Sequence, residues 1–288
     1  QPASSADAGS DQTNVCASST TMHATAPAVG LGTWSVLTSA PGTTPVITDP
    51  TDPQTTITNL IPSTYPATYT FRWTVANGSP VCASKSDDVT ISVILPAVPA
   101  NAGADQNLCN STTGFSLSGN DVSPSTGVWS LVSGPNSPTF NPNIQNPAVT
   151  NITNGVYVFK YTSTATSGCS SEDLVTITNY AQPVAEAGSN QNICQFTALT
   201  MHADTPTSGT GAWSYVSGPG SPVFTHVTSP TSSVVGTTTG TYVFRWTVTN
   251  GTCTASDDVQ VVINALPSQA LAGPDQNICA GSTTTTLE

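Results

Sequence analysis

The chain has 288 residues, and only four of them are basic, Arg72, Lys85, Lys160 and Arg245, against sixteen acidic, for a formal net charge of −12. That balance excludes nucleic acid as a partner, because phosphate binding draws on a cation-rich surface. No apolar run approaches the roughly 18 residues of a membrane-spanning helix, and the first residues carry no signal-peptide pattern, as in a mature or excised fragment.

In chain order, a first segment runs from Ala8-Gly-Ser-Asp-Gln-Thr-Asn-Val-Cys16 through Gly32-Thr-Trp34-Ser35 to the aromatic run Tyr69-Thr-Phe71-Arg72-Trp73. A turn signal at Asn77-Gly78, a second cysteine, Cys82, and the acidic pair Asp87-Asp88 follow. The same landmarks return as Ala102 to Cys109, Trp129-Ser130, Tyr157-Val-Phe159-Lys160-Tyr161, Cys169 and Glu172-Asp173. They return again as Ala187 to Cys194, Trp213-Ser214, Tyr242-Val-Phe244-Arg245-Trp246, Asn250-Gly251, Cys253 and Asp257-Asp258, and the opening motif recurs once more from Ala272 to Cys279. The last three copies of that motif stand 85 residues apart, the signature of one small domain in tandem. The expected modules are 1–98, 99–183 and 184–267, with 268–288 opening a truncated fourth.

Helical periodicity is absent, and short alternating stretches recur between turn clusters. Val89-Thr-Ile91-Ser-Val93 and Val259-Gln-Val261-Val-Ile263 read as strands with one face inward, and Tyr69, Phe71, Trp73 and Val75 share a face. Each module is therefore expected to be an antiparallel, immunoglobulin-like β-sandwich of about seven strands, with Trp34, Trp129 and Trp213 in the core. Gly-x-Tyr at 155–157 and 240–242 resembles a tyrosine corner. Proline-rich linkers at 95–99, 181–183 and 265–267 predict a semi-rigid, extended array.

Two cysteines per module predict a staple inside each one: Cys16 with Cys82, Cys109 with Cys169 and Cys194 with Cys253, leaving Cys279 unpaired by truncation. Each bridge would close a loop of roughly 60 residues and add about 4 kcal/mol in the chain-entropy picture. Regular disulfides place the chain outside the cytoplasm. Helices, a merged single core, or sulfur bonds between modules would overturn the reading of separately clamped beads that span distance and bear load.

The succession Ala-Gly-x-Asp-Gln-x-x-Cys, Gly-x-Trp-Ser, Ser-Gly-Pro, Gly-Thr-Tyr-x-Phe-Arg-Trp-Thr and Asp-Asp-Val resembles the PKD-like, immunoglobulin-like tandem repeats of very large Bacteroidota surface proteins, including gliding-motility-associated adhesins. The chain lacks the Trp-Asp-Phe-Gly-Asp-Gly segment of ordinary PKD domains. The resemblance implies secretion through the outer membrane by the type IX route and a stalk or filament role in cell adhesion.

Enzymatic signatures are missing: there is no Gly-x-Ser-x-Gly, no His-Glu-x-x-His and no isolated carboxylate pair. His23 and His202 occupy equivalent positions that Ser118 fills in the second module, which marks a strand surface. No cofactor is expected. The candidate metal is calcium, on Asp87, Asp88, Asp105, Asp257 and Asp258 with Asp11 and Asp275 near the module starts; Asn190 in the third copy weakens that set. The leading expectation is a non-enzymatic stalk or fibre segment of a cell-surface adhesin. Its partners are neighbouring repeats and, beyond them, surface glycans or other cells. Two alternatives are a carbohydrate-binding module array of a secreted hydrolase, which needs Trp73 and Trp246 exposed, and a self-assembling extracellular filament.

Overall fold

The computed structural model describes all residues except 1, 79–82, 112, 196, 274, 276, 278–280 and 282–288. It is all-β, with no helix among the described residues. The first sandwich holds β1 (Gln12–Val15), β2 (Thr20–Thr21), β3 (Leu31–Thr38), β4 (Val46–Ile47), β5 (Thr56–Thr58), β6 (Ala67–Ala76) and β7 (Lys85–Val93). The second holds β8 (Gln106–Cys109), β9 (Phe115–Ser116), β10 (Thr126–Ser133), β11 (Ala148–Val149), β12 (Gly155–Thr164) and β13 (Ser170–Tyr180). The third holds β14 (Gln191–Cys194), β15 (Leu199–Thr200), β16 (Thr210–Ser217), β17 (Val223–Phe224), β18 (Ser233–Val235), β19 (Gly240–Asn250) and β20 (Cys253–Asn264).

Topology repeats with the sequence. The larger sheets run β1-β7-β6-β3, β8-β13-β12-β10 and β14-β20-β19-β16, and each is faced by a smaller one, β2-β5-β4, β9-β11 and β15-β18-β17. In the first and third sandwiches the opening strand lies parallel to the last one, with Val15 beside Val93 and Cys194 beside Asn264. By packing, the described chain divides into two compact units. One is Gln1–Gln106 with Ser111–Ile177; the other is Asn107–Asn110 with Thr178–Glu288.

The aromatic run lies on the central strand of each larger sheet, and strand alternation turns every second side chain inward. Tyr69, Phe71, Trp73 and Val75 are buried, as are Tyr157, Phe159 and Tyr161, and Tyr242, Phe244, Trp246 and Val248. Trp34, Trp129 and Trp213 face them from the neighbouring strand and are at most 4% exposed. Ring centroids lie 5.0 Å apart for Trp34 and Trp73, 4.6 Å for Trp129 and Tyr161, and 5.1 Å for Trp213 and Trp246. Each large ring contributes roughly 1.5–3 kcal/mol by leaving water. The glycine of Gly-x-Trp-Ser makes room for this pairing, since a Cβ at Gly32 or Gly211 would fall within 2.0 Å of the facing indole. Tyr157 and Tyr242 do form corners: their hydroxyls accept from the backbone N–H of Thr153 and Thr238, each at 2.8 Å.

The opening motif decodes residue by residue. Its alanine, Ala8, Ala102 or Ala187, is buried. Its glycine takes a positive φ, 82°, 81° and 87° at Gly9, Gly103 and Gly188, and lies against the carbonyl of His23, Ser118 or His202, where a Cβ would come within 2.7 Å. The two histidine side chains are exposed. Its glutamine donates across to the second sheet, Gln12 to Thr21 O at 2.8 Å, Gln106 to Ser116 O at 3.0 Å and Gln191 to Thr200 O at 3.0 Å. The extra residue of the first copy becomes a β-bulge: pairing shifts between Gln12 and Val15, with Asn14 at φ 58°. The motif thus ties the first strand into both sheets and delivers its cysteine to the strand's far end.

Candidate functional site: the junctions between modules

The disulfides overturn the expected pairing and, with it, the picture of modules each clamped on its own. Cys16 is bonded to Cys169 and Cys109 to Cys253, with Cα atoms 5.7 and 5.0 Å apart, while Cys194 is a free, exposed thiol. Each bridge therefore joins the first cysteine of one module to the second cysteine of the next. Cys82 and Cys279 lie outside the described residues.

The reason is strand direction. Cys194 closes β14 beside Asn264 at the end of β20, whereas Cys253 begins β20. The two ends of that strand are separated by roughly 35 Å at about 3.3 Å per residue. A disulfide needs Cα atoms about 4.4–6.8 Å apart, so the pairing Cys194 with Cys253 is geometrically impossible. The same holds for Cys109 and Cys169, because Asn110 N–H donates to Tyr180 O at the end of β13 while Cys169 stands just before its start.

Around each bridge the linker is held by polar contacts. At the first junction Ser167 Oγ donates to Leu95 O at 2.5 Å, and Ile94 N–H donates to Val15 O at 3.0 Å. A cleft of about 590 Å³ opens there between Tyr65, Pro66, Leu95 and Thr166. At the second junction Gln182 Nε2 donates to Thr254 O and Asn250 Nδ2 to Ala181 O, both at 2.8 Å. Gly251, at φ 58° in the β19–β20 turn, lies so close to the Tyr180 ring that a Cβ would meet it at 2.3 Å. Glycine thus serves the turn and the junction together.

Apart from Asp275, the acidic residues named as calcium candidates are committed to the fold. Asp87, Asp173 and Asp257 accept from the backbone N–H of Ala8, Ala102 and Ala187 at 2.7–2.8 Å. Asp11, Asp105 and Asn190 accept from Thr90, Thr176 and Gln260 N–H at 2.7–2.8 Å. Only an acceptor oxygen is needed there, so asparagine serves as well as aspartate. Asp88 and Asp258 each grip an arginine with two bonds, Arg72 and Arg245, at 2.7 and 2.8 Å. Hydrogen bonding to the guanidinium holds both carboxyls below their usual range. The calcium candidates are therefore dispersed, and among the described residues no group of three or more His, Cys, Asp or Glu side chains could hold a metal ion.

Trp73 and Trp246 are 0% exposed, which removes the stacking surface that the carbohydrate-binding alternative required. Sequence reasoning missed the junction contacts of Tyr180, Ala181, Gln182 and Ser167. Their one available signal was position, beside the linkers and the hairpin cysteines.

Among solved structures, the chain is similar to Drosophila OTK extracellular domains 3–5, at 12% identity and a TM-score of 0.47, covering 91% of this chain and 97% of that one. It is also similar to the insect immune protein hemolin, at 13% identity and a TM-score of 0.33, covering 91% and 76%. The PKD domain of human KIAA0319 matches at 19% identity and a TM-score of 0.28, covering 32% of this chain and 89% of that one. No curated protein sequence matches the chain. The family model described as K319L-like, PKD domain matches residues 102–178 and 187–263, together more than half of the sequence, and the chain belongs to that family.

Proposed function

We propose that the chain is a non-enzymatic stalk or fibre segment of a large secreted or cell-surface adhesin, built of modules 1–98, 99–183 and 184–267, with 268–288 opening another. The beads are not separately clamped as the sequence suggested, so the reading now rests on a different observation, the placement of both disulfides between successive modules. A bond across a junction adds nothing to a pocket, but it carries tension from one module to the next. Disulfides also fit an oxidising compartment outside the cytoplasm. The carboxylates that could have served chemistry are spent on backbone N–H groups and arginines. The sequence resemblance to gliding-motility-associated adhesins supports type IX secretion and contacts with glycans or other cells.

The test is to cut the linker. A protease site placed at Ala97-Val98 is cleaved, and the chain is then stretched between its ends in a single-molecule force experiment. The cut chain is expected to stay joined through Cys16 and Cys169 and to part only when reductant is added. Parting without reductant removes the mechanical reading.

A further inference from the structure

Cys194 holds the position that Cys109 and Cys16 hold one and two modules earlier, yet it alone of the three is unbonded. The backbone around it matches. Gln195 N–H donates to Asn264 O at 2.8 Å, as Asn110 N–H donates to Tyr180 O at 2.7 Å, so in both places the strand-end cysteine stands beside the exit of the last strand. Asn264 is itself fixed, its Nδ2 donating to Asn192 Oδ1 and to Ile193 O. At both junctions that carry a bridge the partner is of one kind. It is the cysteine of the hairpin between the last two strands, Cys169 before β13 and Cys253 at the start of β20.

We propose that Cys194 is the covalent docking site for the hairpin cysteine of a module attached after residue 267, of the kind that the motif Ala272 to Cys279 opens. Bond formation is a two-electron oxidation. Cys194 and the incoming cysteine each lose a proton and an electron to a thiol oxidant of the oxidising compartment, such as a protein disulfide, which is reduced to the dithiol. The inference stands on the repeat of the bridges and holds whether or not the protein is adhesive.

The test completes the fourth module on the full chain, by appending a copy of residues 203–267 after Glu288 with Thr254→Ser in the copy as a mass label. Under non-reducing digestion, the copied hairpin cysteine is expected to be linked to Cys194, and changing that cysteine to serine is expected to return Cys194 to full labelling by iodoacetamide. Finding the copied cysteine bonded to Cys279, or Cys194 still labelled beside a folded added module, overturns the proposal. A second variant carrying a copy of residues 119–183, whose hairpin cysteine is that of Cys169, faces the same two outcomes. On the unaltered chain, Cys194 is expected to label without reductant while Cys16, Cys109, Cys169 and Cys253 do not. A bridge from Cys194 to Cys253 there overturns the proposal independently of any added module.

Discussion

The second module and its two neighbours solve one packing problem in different ways. In the first and third, two tryptophans face each other, and the indole N–H groups of Trp34, Trp73 and Trp246 are buried without an acceptor. In the second, Tyr161 replaces the inner tryptophan and donates to Asn120 O at 3.2 Å, while Trp129 Nε1 donates to Gln145 O at 3.0 Å. Burial, with the Asp121 charge adding to it, pushes the Tyr161 phenol up. The second module leaves a different atom unpaired, Ser163 Oγ, where its neighbours have Val75 and Val248. The frame thus accepts either a larger dry ring or a smaller ring with its polar atom paired, and ring volume and hydrogen bonding trade against each other.

Five substitutions and a titration sharpen that trade. Trp246→Ala removes the larger ring, and chemical denaturation is expected to show a loss of about 3–5 kcal/mol in the third module. A loss below about 1 kcal/mol would mean the ring is not holding the sheets together. Gly211→Ala drives a methyl group into the same indole and is expected to cost about 1–3 kcal/mol. Trp129→Phe breaks a hydrogen bond that Trp34→Phe does not, so it should cost more by about 1 kcal/mol; equal costs would erase the distinction between the modules. Ser163→Val copies the neighbouring modules at the unpaired hydroxyl and is expected to raise the second module's stability by about 1 kcal/mol.

The smallest effect is on pH. Asp88 and Asp258 have carboxyls lowered by their arginines, so the unfolded chain binds protons more readily than the folded one as acid is added. Their contribution is present above the ordinary carboxylate pKa and is lost as pH falls through the lowered folded-state value. Carboxyl NMR titration of Asp88 and Asp258 checks this, and midpoints at or above the ordinary aspartate value contradict it. By repeat alignment Leu174 occupies the corresponding position in the second module, and the acid, Glu172, sits two residues earlier on the same strand face, 2.9 Å from Lys160.

Strands and cores were legible because alternation and the spacing of Trp34, Trp129 and Trp213 are local properties. The hairpins were legible where Asn250-Gly251 supplies the positive φ that a tight turn needs. Cysteine partners were not, since in a periodic chain a first cysteine stands in regular register with every second cysteine. The deciding fact is the parallel run of β14 along β20, and no local pattern announces strand pairing over 70 residues of sequence. The acidic residues misled for a related reason. Asp87, Asp173 and Asp257 look like free ligands until the segment leading into the first strand, more than 60 residues earlier, brings its alanine N–H to each.

The overlap of the two bridges has a further consequence. Because 16, 109, 169 and 253 alternate along the chain, each cross-link has one end inside the span that the other encloses, so no single peptide bond from residue 17 to residue 252 separates the protein into two pieces when it breaks. Continued module after module, the pattern would make a two-ply yarn from one polypeptide, in which a nick by a hostile protease is carried by the neighbouring ply. Durability against cleavage would then come from wiring, with no module needing to be more stable than an ordinary small domain.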